Sequence, residues 1–409
     1  MTTRGENFTG RNEAIDVFRA LTMFVMIFVN DFWKVSDIPS WLDHAARGAD
    51  FMGLADVVFP CFLFVVGMSI PLAIERRYAK GLTGESTVGH ILSRTLALLV
   101  MGAFISNSEA RLSPGVSYRI GVYWFLMVGA FFCIWNQYPP AKDAARKRLY
   151  VVLKVVGLVV LLFLAVTFRS TKGDVFGARW GILGSIGWTY LVCALIYVFT
   201  RDRLRYLLPA WIVFVLICIL GSRMNEAHGG EAILTLPHPN FYNDALGILH
   251  IGNGALPAFT MGGVILSIIS RRVIGLPQWK KLTGALLLAA ILLAAGVASR
   301  QFWILSKISA TPSWVFCVSA IAVALYGILS FLASRGKAGW FDLIKPAGTA
   351  TLTTYTIPYL AYGLSDVTGV VLPGWFTHGF MSIVNCLCFA FLIIWVTWLL
   401  GRLHIKLKI

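Results

Sequence analysis

The chain has 409 residues, of which 58% are hydrophobic and 13% are charged, and its formal net charge at pH 7 is +16. Soluble domains carry about a quarter charged residues, so this composition excludes an ordinary soluble protein and indicates a chain that crosses a membrane many times. The basic excess does not indicate nucleic-acid binding, because most Lys and Arg residues lie in short segments between apolar runs.

Apolar runs of helix-spanning length recur along the whole chain. They predict an all-α polytopic membrane protein with a single bundle of about 11–12 transmembrane helices. In chain order the runs are 14–30, 54–74, 91–107, 118–136, 150–168, 180–199, 207–221, 252–270, 282–299, 313–333, 348–364 and 379–400. No separate soluble domain and no internal repeat stands out, so we expect one transmembrane domain over residues 1–409.

The distribution of strong bases predicts how the bundle is oriented. If the N-terminus lies in the cytoplasm, the cytoplasmic segments hold 25 of the 35 Lys and Arg residues and the other side holds 10. This asymmetry follows the positive-inside rule, so both termini, including the N-terminal segment 1–13, are expected in the cytoplasm. The two longest polar segments, near 31–53 and 222–251, then become external loops.

Polar residues cluster around the first external loop. Asn30 and Asp31 end the first run, and the loop holds His44 and Arg47, shortly before Asp56 opens the second run. A nearby carboxylate can orient an imidazole and stabilise its cation, so the loop is a candidate site for proton transfer. Helix capping by Asn30 or Asp56 and an interfacial position for the others remain alternatives.

Basic and acidic residues also lie at the predicted cytoplasmic face. Asp16 and Arg19 are three residues apart and therefore share one side of a helix. They predict an ion pair or, alternatively, a site for a phosphorylated cytosolic ligand, because arginine matches phosphate geometry. Arg76, Arg77 and Arg94 could contribute to that site or serve only as anchors that orient the bundle.

A second polar cluster ends the later external loop. Asp244, His250 and Asn253 precede a span that contains Pro257 and two adjacent glycines. Glycine and proline at membrane depth permit close packing or a local break, so this cluster could form one wall of an external site. Helix packing with an acidic cap is the alternative interpretation.

Motifs of soluble enzymes are missing from the sequence. There is no P-loop, no GxSxG and no HExxH, and the seven cysteines lack the spacing of metal ligands. We therefore expect no metal, and any chemistry must use residues held by the membrane bundle.

Several stretches resemble the heparan-α-glucosaminide N-acetyltransferase family of transmembrane acyltransferases, in its bacterial branch without the luminal domain. They are EAIDVFRALTMFVMIFVND, DHA, GLADVVFPCFLFVVGMSIPLAIERR, NDALGILHIGNGALPAFTMGG and KPAGTATLTTYTIPYL. The resemblance implies a multi-pass protein of the bacterial inner membrane. It implies transfer of an acetyl group from cytosolic acetyl-CoA to an amino sugar or glycan on the far side.

The resemblance also implies roles for particular residues. His44 matches the family's functional histidine and would act as base or acetyl carrier, while Asn30 and Asp56 match its asparagine and aspartate. Coenzyme A phosphates would lie near Arg19 and the neighbouring basic residues. Arg47 stands where the family commonly has tryptophan, which leaves the acceptor open.

Two other functions fit the same composition. One is a secondary transporter of a small polar solute, and the other is an O-acetyltransferase of a cell-envelope glycan. The expected partners are membrane lipid, acetyl-CoA and a sugar or glycan acceptor, with no nucleic acid and with a homodimer left open.

Overall fold

The computed structural model describes residues 12–110, 112–224, 226, 229–234 and 252–409. Within these ranges the protein is all-α and has no β-strand, only isolated bridges. The helices of 16 residues or more are α1 (Glu13–Asn30), α2 (Leu54–Ala79), α3 (Gly84–Ser108), α4 (Ile120–Trp135), α5 (Ala144–Thr167), α6 (Gly181–Thr200), α7 (Leu204–Gly221), α8 (Ala255–Arg272), α9 (Gln278–Ser299), α10 (Pro312–Ser334), α11 (Thr351–Thr368) and α12 (Phe380–Arg402). Each predicted apolar run coincides with one of them.

Eight helices of the described ranges are long and apolar enough to cross a membrane by themselves: α2, α3, α5, α6, α7, α9, α10 and α12. Helix α4 is apolar but shorter. The remaining three are more polar, and α1, for example, carries Glu13, Asp16 and Arg19 in its first two turns. Much of α1 and α8 is buried against protein, which explains how these less apolar helices can belong to a membrane bundle.

Two helices present apolar side chains outward over their whole length. Val156, Leu162 and Val166 of α5 are exposed, as are Leu287 and Ile291 of α9. Exposed side chains of this kind would be unfavourable in water and suit contact with lipid acyl chains. The protein is therefore a polytopic membrane protein, as its composition predicts.

The described residues form two compact units. Unit 1 comprises those of Met1–Thr22, Pro39–Thr95 and Ser185–Asp342, and unit 2 those of Met23–Ile38, Leu96–Gly184 and Leu343–Ile409. The single domain expected over 1–409 stays a prediction. Most of the predicted external loop 222–251 lies outside the described residues.

Unit 1 is organised by the close packing of α2 against α8. A Cβ atom on Gly67 would collide with the carbonyl oxygen of Thr260, and one on Gly263 would collide with that of Phe64. Because glycine has no side chain, the two backbones can meet at this distance. The contact fixes α2, whose first turn carries Asp56.

In unit 2, α4 packs against both α5 and α11, and α12 packs along α11. The start of α4 is joined to the end of α11, because the Gly121 N–H donates to Oδ2 of Asp366 at 3.0 Å. The chain after α12 returns to the other end of α4, where the Lys408 N–H donates to the Trp135 carbonyl at 2.9 Å. The first of these bonds joins two helix ends that line a cavity in this unit.

Candidate active site

The polar loop before α2 is closed by the start of that helix. The N–H groups of Leu54 and Ala55 have no partner within the helix, and they donate to the carbonyl oxygens of Trp41 and Leu42 at 2.8 and 3.0 Å. Gly53, where the loop returns, lies so close to the chain that a Cβ atom there would collide with the carbonyl oxygen of Asp43. The residues between Leu42 and Gly53 therefore form a short loop at the N-terminal end of α2.

This loop brings His44 onto Asp56. Nδ1 of His44 lies 2.7 Å from Oδ1 of Asp56, and the other carboxylate oxygen accepts hydrogen bonds from the N–H groups of Ala45 at 2.9 Å and Gly53 at 3.2 Å. The Asp56 side chain is only 1% exposed, whereas that of His44 is 48% exposed. A carboxylate can only accept, so Nδ1 of His44 is the donor in the 2.7 Å contact, and a neutral imidazole in this tautomer would carry its lone pair on Nε2.

Lys307 is a third member of this cluster, and sequence reasoning missed it. Its Nζ lies 3.2 Å from Nδ1 of His44, 3.8 Å from Oδ1 of Asp56 and 3.4 Å from the Ala55 carbonyl oxygen. Burial lowers the pKa of Lys307, although the Asp56 charge opposes this. Lys307 lies 263 residues from His44 in the chain. The one sequence feature that distinguished it was that it is among the 10 Lys and Arg residues predicted on the external side of the membrane.

A second contact holds the loop from the same side. Nη2 of Arg300 donates to Oδ2 of Asp50 at 2.7 Å, and the Leu305 N–H donates to Oδ1 at 2.7 Å. Burial raises the pKa of Asp50, but the hydrogen bonds from Arg300 and Leu305 and the Arg300 charge outweigh it and lower the pKa overall. The segment that carries Lys307 is thus tied to the loop that carries His44.

Asp16 and Arg19 form the ion pair that their spacing predicts. Nη1 of Arg19 lies 3.3 Å from Oδ1 of Asp16, and Nη2 donates to Oγ of Ser69 on α2 at 2.7 Å. Ser69 and Asp56 belong to the same helix, and the rise of an α-helix separates them by about 20 Å along its axis. Arg19 therefore lies partway along α2 rather than at its end.

The other predicted donor-site arginines lie near the far end of α2 and on α3. Nη2 of Arg77 donates to the Ser86 carbonyl at 3.1 Å, and the Arg94 guanidinium lies over the Tyr190 ring at 4.8 Å. In the part of the chain that the structure describes, the Nε atoms of Arg77 and Arg94 are buried without a hydrogen-bond partner. Arg76 precedes Arg77 in the last turn of α2.

Asn30 and Asp31 belong to unit 2. Asn30 lines a cavity of about 950 Å³ in that unit. Asp31 is buried and accepts a hydrogen bond from the Tyr362 hydroxyl at 3.0 Å, while Nζ of Lys34 lies 3.6 Å from the centroid of the Tyr362 ring. Burial raises the pKa of Asp31 to about 6, against the lowering effect of the Lys34 charge.

The remaining predicted site residues lie apart from these contacts or outside the described residues. Arg47 is exposed on the loop. The Asn253 amide donates to the Ala310 carbonyl at 2.7 Å and to Ser222 Oγ at 3.0 Å, which positions the start of α8. Asp244 and His250 lie outside the described residues, and the described part contains no group of His, Cys, Asp and Glu suited to a metal ion.

Comparisons with known proteins agree with the resemblance read from the sequence. A family model described as a domain of unknown function (DUF5009) matches residues 11–239, more than half of the chain. The heparan-alpha-glucosaminide N-acetyltransferase of Mus musculus is 29% identical over 142 residues, which cover 32% of this chain and 20% of the relative. That of Homo sapiens is 29% identical over 130 residues, covering 29% and 18%. The resemblance is confirmed, and the match spans about a fifth of each relative's length.

Proposed function

The chain belongs to the DUF5009 family, and we propose that it is a transmembrane acetyltransferase. It would move an acetyl group from cytosolic acetyl-CoA to an amino sugar or glycan on the external side of a bacterial inner membrane. The observation that carries this proposal is the 2.7 Å contact between Nδ1 of His44 and Oδ1 of Asp56, at the end of a membrane-spanning helix. The similarity to two N-acetyltransferases supports the reaction class.

The His44–Asp56 pair suits general-base catalysis. In direct transfer, the acceptor nitrogen attacks the thioester carbonyl carbon, Nε2 of His44 takes the proton, and the C–S bond breaks to release coenzyme A. Asp56 would hold the ring in the required tautomer and stabilise the imidazolium that forms. A positioned base of this kind contributes about 10²–10⁴-fold to the rate.

The same geometry suits a covalent route. Nε2 of His44 would attack the thioester carbonyl, expel coenzyme A thiolate and form an acetyl-imidazole, which the acceptor nitrogen then cleaves to regenerate the histidine. In both routes negative charge develops on the carbonyl oxygen.

The distances along α2 support a donor site at Arg19. Arg19, held on Ser69, is about 20 Å from Asp56 along the helix axis, a separation comparable to the extended phosphopantetheine arm of coenzyme A. A diphosphate bound at Arg19 would thus allow the thioester to reach the level of His44. Arg76, Arg77 and Arg94 would receive the adenosine end, since guanidinium groups match phosphate in geometry and charge.

The proposal is tested with the full-length protein in detergent, supplied with acetyl-CoA and glucosamine. Release of the coenzyme A thiol and formation of the N-acetylated sugar are measured together. His44→Ala should lower turnover at least about 100-fold in a protein that still unfolds cooperatively, with a somewhat lower melting temperature because the buried Asp56 carboxylate loses one partner. His404→Asn, which removes an exposed histidine near the chain end and keeps a residue that tolerates its left-handed backbone, with φ at 59°, should behave like the wild type.

Arg19→Ala probes the donor site separately, and it should raise KM for acetyl-CoA more than it lowers kcat. Acetyl-CoA should also raise the melting temperature of the wild-type protein, because it binds only the folded state. Turnover by His44→Ala at the wild-type rate would overturn the role of His44. Absence of both stabilisation and transfer at millimolar acetyl-CoA would overturn the acetyltransferase and favour solute transport.

A further inference from the structure

Three basic side chains of unit 1 lie close together, and we call them the basic cluster: Arg77 near the end of α2, and His90 and Arg94 on α3. The His90 ring lies within the range of charge interaction of both guanidinium groups. Arg94 in turn lies over the Tyr190 ring of α6, with its guanidinium carbon 4.8 Å from the ring centroid. Three helices thus bring two arginines and a histidine to one place.

The basic cluster lacks a negative partner. In the part of the chain that the structure describes, none of its three members forms an ion pair, and Arg77 donates only to the carbonyl and hydroxyl oxygens of Ser86. Arg94 makes no hydrogen bond to a described residue. Glu75, two residues before Arg77, is already paired with Arg201 at 3.0 Å. The mutual repulsion of the cluster is therefore not offset by a carboxylate of the described chain.

The position of Arg94 makes this lack of a partner costly. It lies about 15 Å along the axis of α3 from the first residue of the helix, and α3 is long and apolar enough to cross a membrane. A charged side chain within such a helix is expensive and is usually paired or functional. All three members of the cluster are only half-buried, so an external anion can reach them.

The number and kind of donors indicate which anion fits. Two guanidinium groups carry two positive charges, and His90 adds a ring N–H. A phosphate monoester carries a charge of about −1.5 to −2 at pH 7 and three acceptor oxygens, whereas a carboxylate or a phosphodiester carries one negative charge. Stacking of Arg94 on Tyr190 fixes the plane of the guanidinium group, which suits a forked contact to phosphate oxygens.

We infer that the basic cluster binds the 3′-phosphate of coenzyme A, with Arg77 and Arg94 as its ion partners and His90 as a hydrogen-bond donor. This phosphate is the one monoester of coenzyme A, and dephospho-coenzyme A lacks it. Arg77 lies eight residues after Ser69, about 12 Å along α2, so the site follows the diphosphate position proposed at Arg19. The assignment to coenzyme A rests on the proposed function, whereas affinity for a phosphate monoester does not.

The test is isothermal titration calorimetry of the full-length protein in phosphatidylcholine nanodiscs, with coenzyme A and dephospho-coenzyme A as probes. The wild type should bind coenzyme A at least about tenfold more tightly, because hydrogen bonds between charged groups contribute more than neutral ones. Arg94→Gln should reduce this preference to less than about threefold by weakening the binding of coenzyme A alone. Arg77→Gln should act in the same direction, so the result does not depend on the folding of one variant.

Arg205→Gln is the matched control. Arg205 is exposed and lies over the Tyr206 ring at the same 4.8 Å, so its substitution removes a similar cation–π contact and should leave the preference unchanged. A second arm repeats the titrations in nanodiscs that contain phosphatidate, a lipid whose headgroup is a phosphate monoester. The preference for coenzyme A should persist there. Its loss would assign the basic cluster to the lipid headgroup and overturn the inference.

Acetyl transfer is measured separately on the same variants. Equal affinities for the two probes, no binding of either, or a preference that survives both arginine substitutions would overturn the inference even if acetyl transfer is present. A preference that requires Arg94, in a protein that transfers no acetyl group, would keep the phosphate site and overturn the acetyltransferase.

Discussion

Arg300 binds both carboxylate oxygens of Asp50, which lies 250 residues earlier in the chain. Its Nε donates to Oδ1 at 3.1 Å and its Nη2 donates to Oδ2 at 2.7 Å. A forked contact of this kind has directional specificity as well as charge attraction. It joins the loop that holds His44 to the segment that holds Lys307. The loop is thus held at two points, by the first turn of α2 and by this ion pair.

Arg300→Ala should lower turnover about tenfold while changing stability by at most about 1 kcal/mol, because both partners are partly exposed. Since the pKa of Asp50 is lowered, the stabilisation is complete at pH values above the ordinary carboxyl range. It is lost only as the pH falls through the lowered pKa. Turnover is compared with that of Arg179→Ala, which breaks a similarly exposed ion pair with Asp174. Equal turnover in the two variants would contradict the proposed role of the Arg300 contact.

Gly53→Ala should displace the loop, because the new Cβ atom would collide with the carbonyl oxygen of Asp43. Overpacking of this kind costs about 1–3 kcal/mol of stability, and movement of His44 should lower turnover at least about tenfold. Gly89→Ala on α3 is the control, since a Cβ atom there meets nothing within 4 Å. Unchanged turnover in Gly53→Ala would show that the loop can shift without loss of function.

Asp56 and Lys307 should be energetically coupled. Asp56 is almost fully buried, and Nζ of Lys307 lies 3.8 Å from its carboxylate. Lys307→Met would leave the buried carboxylate without its cation, so this variant and Asp56→Asn should each be less stable than the wild type. The double variant should lose at least about 1 kcal/mol less than the sum of the two. Thermal or denaturant unfolding of all four proteins measures the coupling, and strict additivity would exclude it.

Asp31→Asn should reduce the pH dependence of stability. Burial raises the pKa of Asp31 to about 6 in the folded protein from an ordinary value of 3.8, despite opposing effects of Lys34 and Tyr362. A raised carboxyl pKa stabilises the folded state below the ordinary value, and this contribution is lost as the pH rises through about 6. Its full size is of order 1–3 kcal/mol.

The measurement for Asp31→Asn is the melting temperature at about pH 4.5 and about pH 7.5. The decrease between them should be smaller in the variant than in the wild type. Asp37→Asn is the control, because Asp37 is exposed and its left-handed backbone, with φ at 61°, is one that asparagine tolerates. An identical decrease in Asp31→Asn and wild type would show that Asp31 titrates normally.

The helices and part of the site follow from the sequence because they depend on local properties. Hydropathy averaged over a short window located every long helix, because each membrane-spanning segment must by itself be apolar and satisfy its own backbone hydrogen bonds. The contact between His44 and Asp56 could also be predicted from the sequence, because the two residues are 12 apart and lie on either side of the start of one helix. The ion pair of Asp16 and Arg19 follows from helical periodicity alone.

The sequence by itself thus determined that the chain crosses a membrane many times, and it made a contact between a histidine and an aspartate at the start of the second helix one of the predictions. Only the tertiary structure decided that Lys307 contacts this pair, that Arg300 binds Asp50 of the same loop, and that Glu109 lines a cavity with Trp124 and Tyr359. These residues come from distant segments, and their meeting depends on which helices pack together. Close contacts such as Gly67 against Thr260 set that packing, and they depend on shape complementarity between segments rather than on the hydropathy of any one of them.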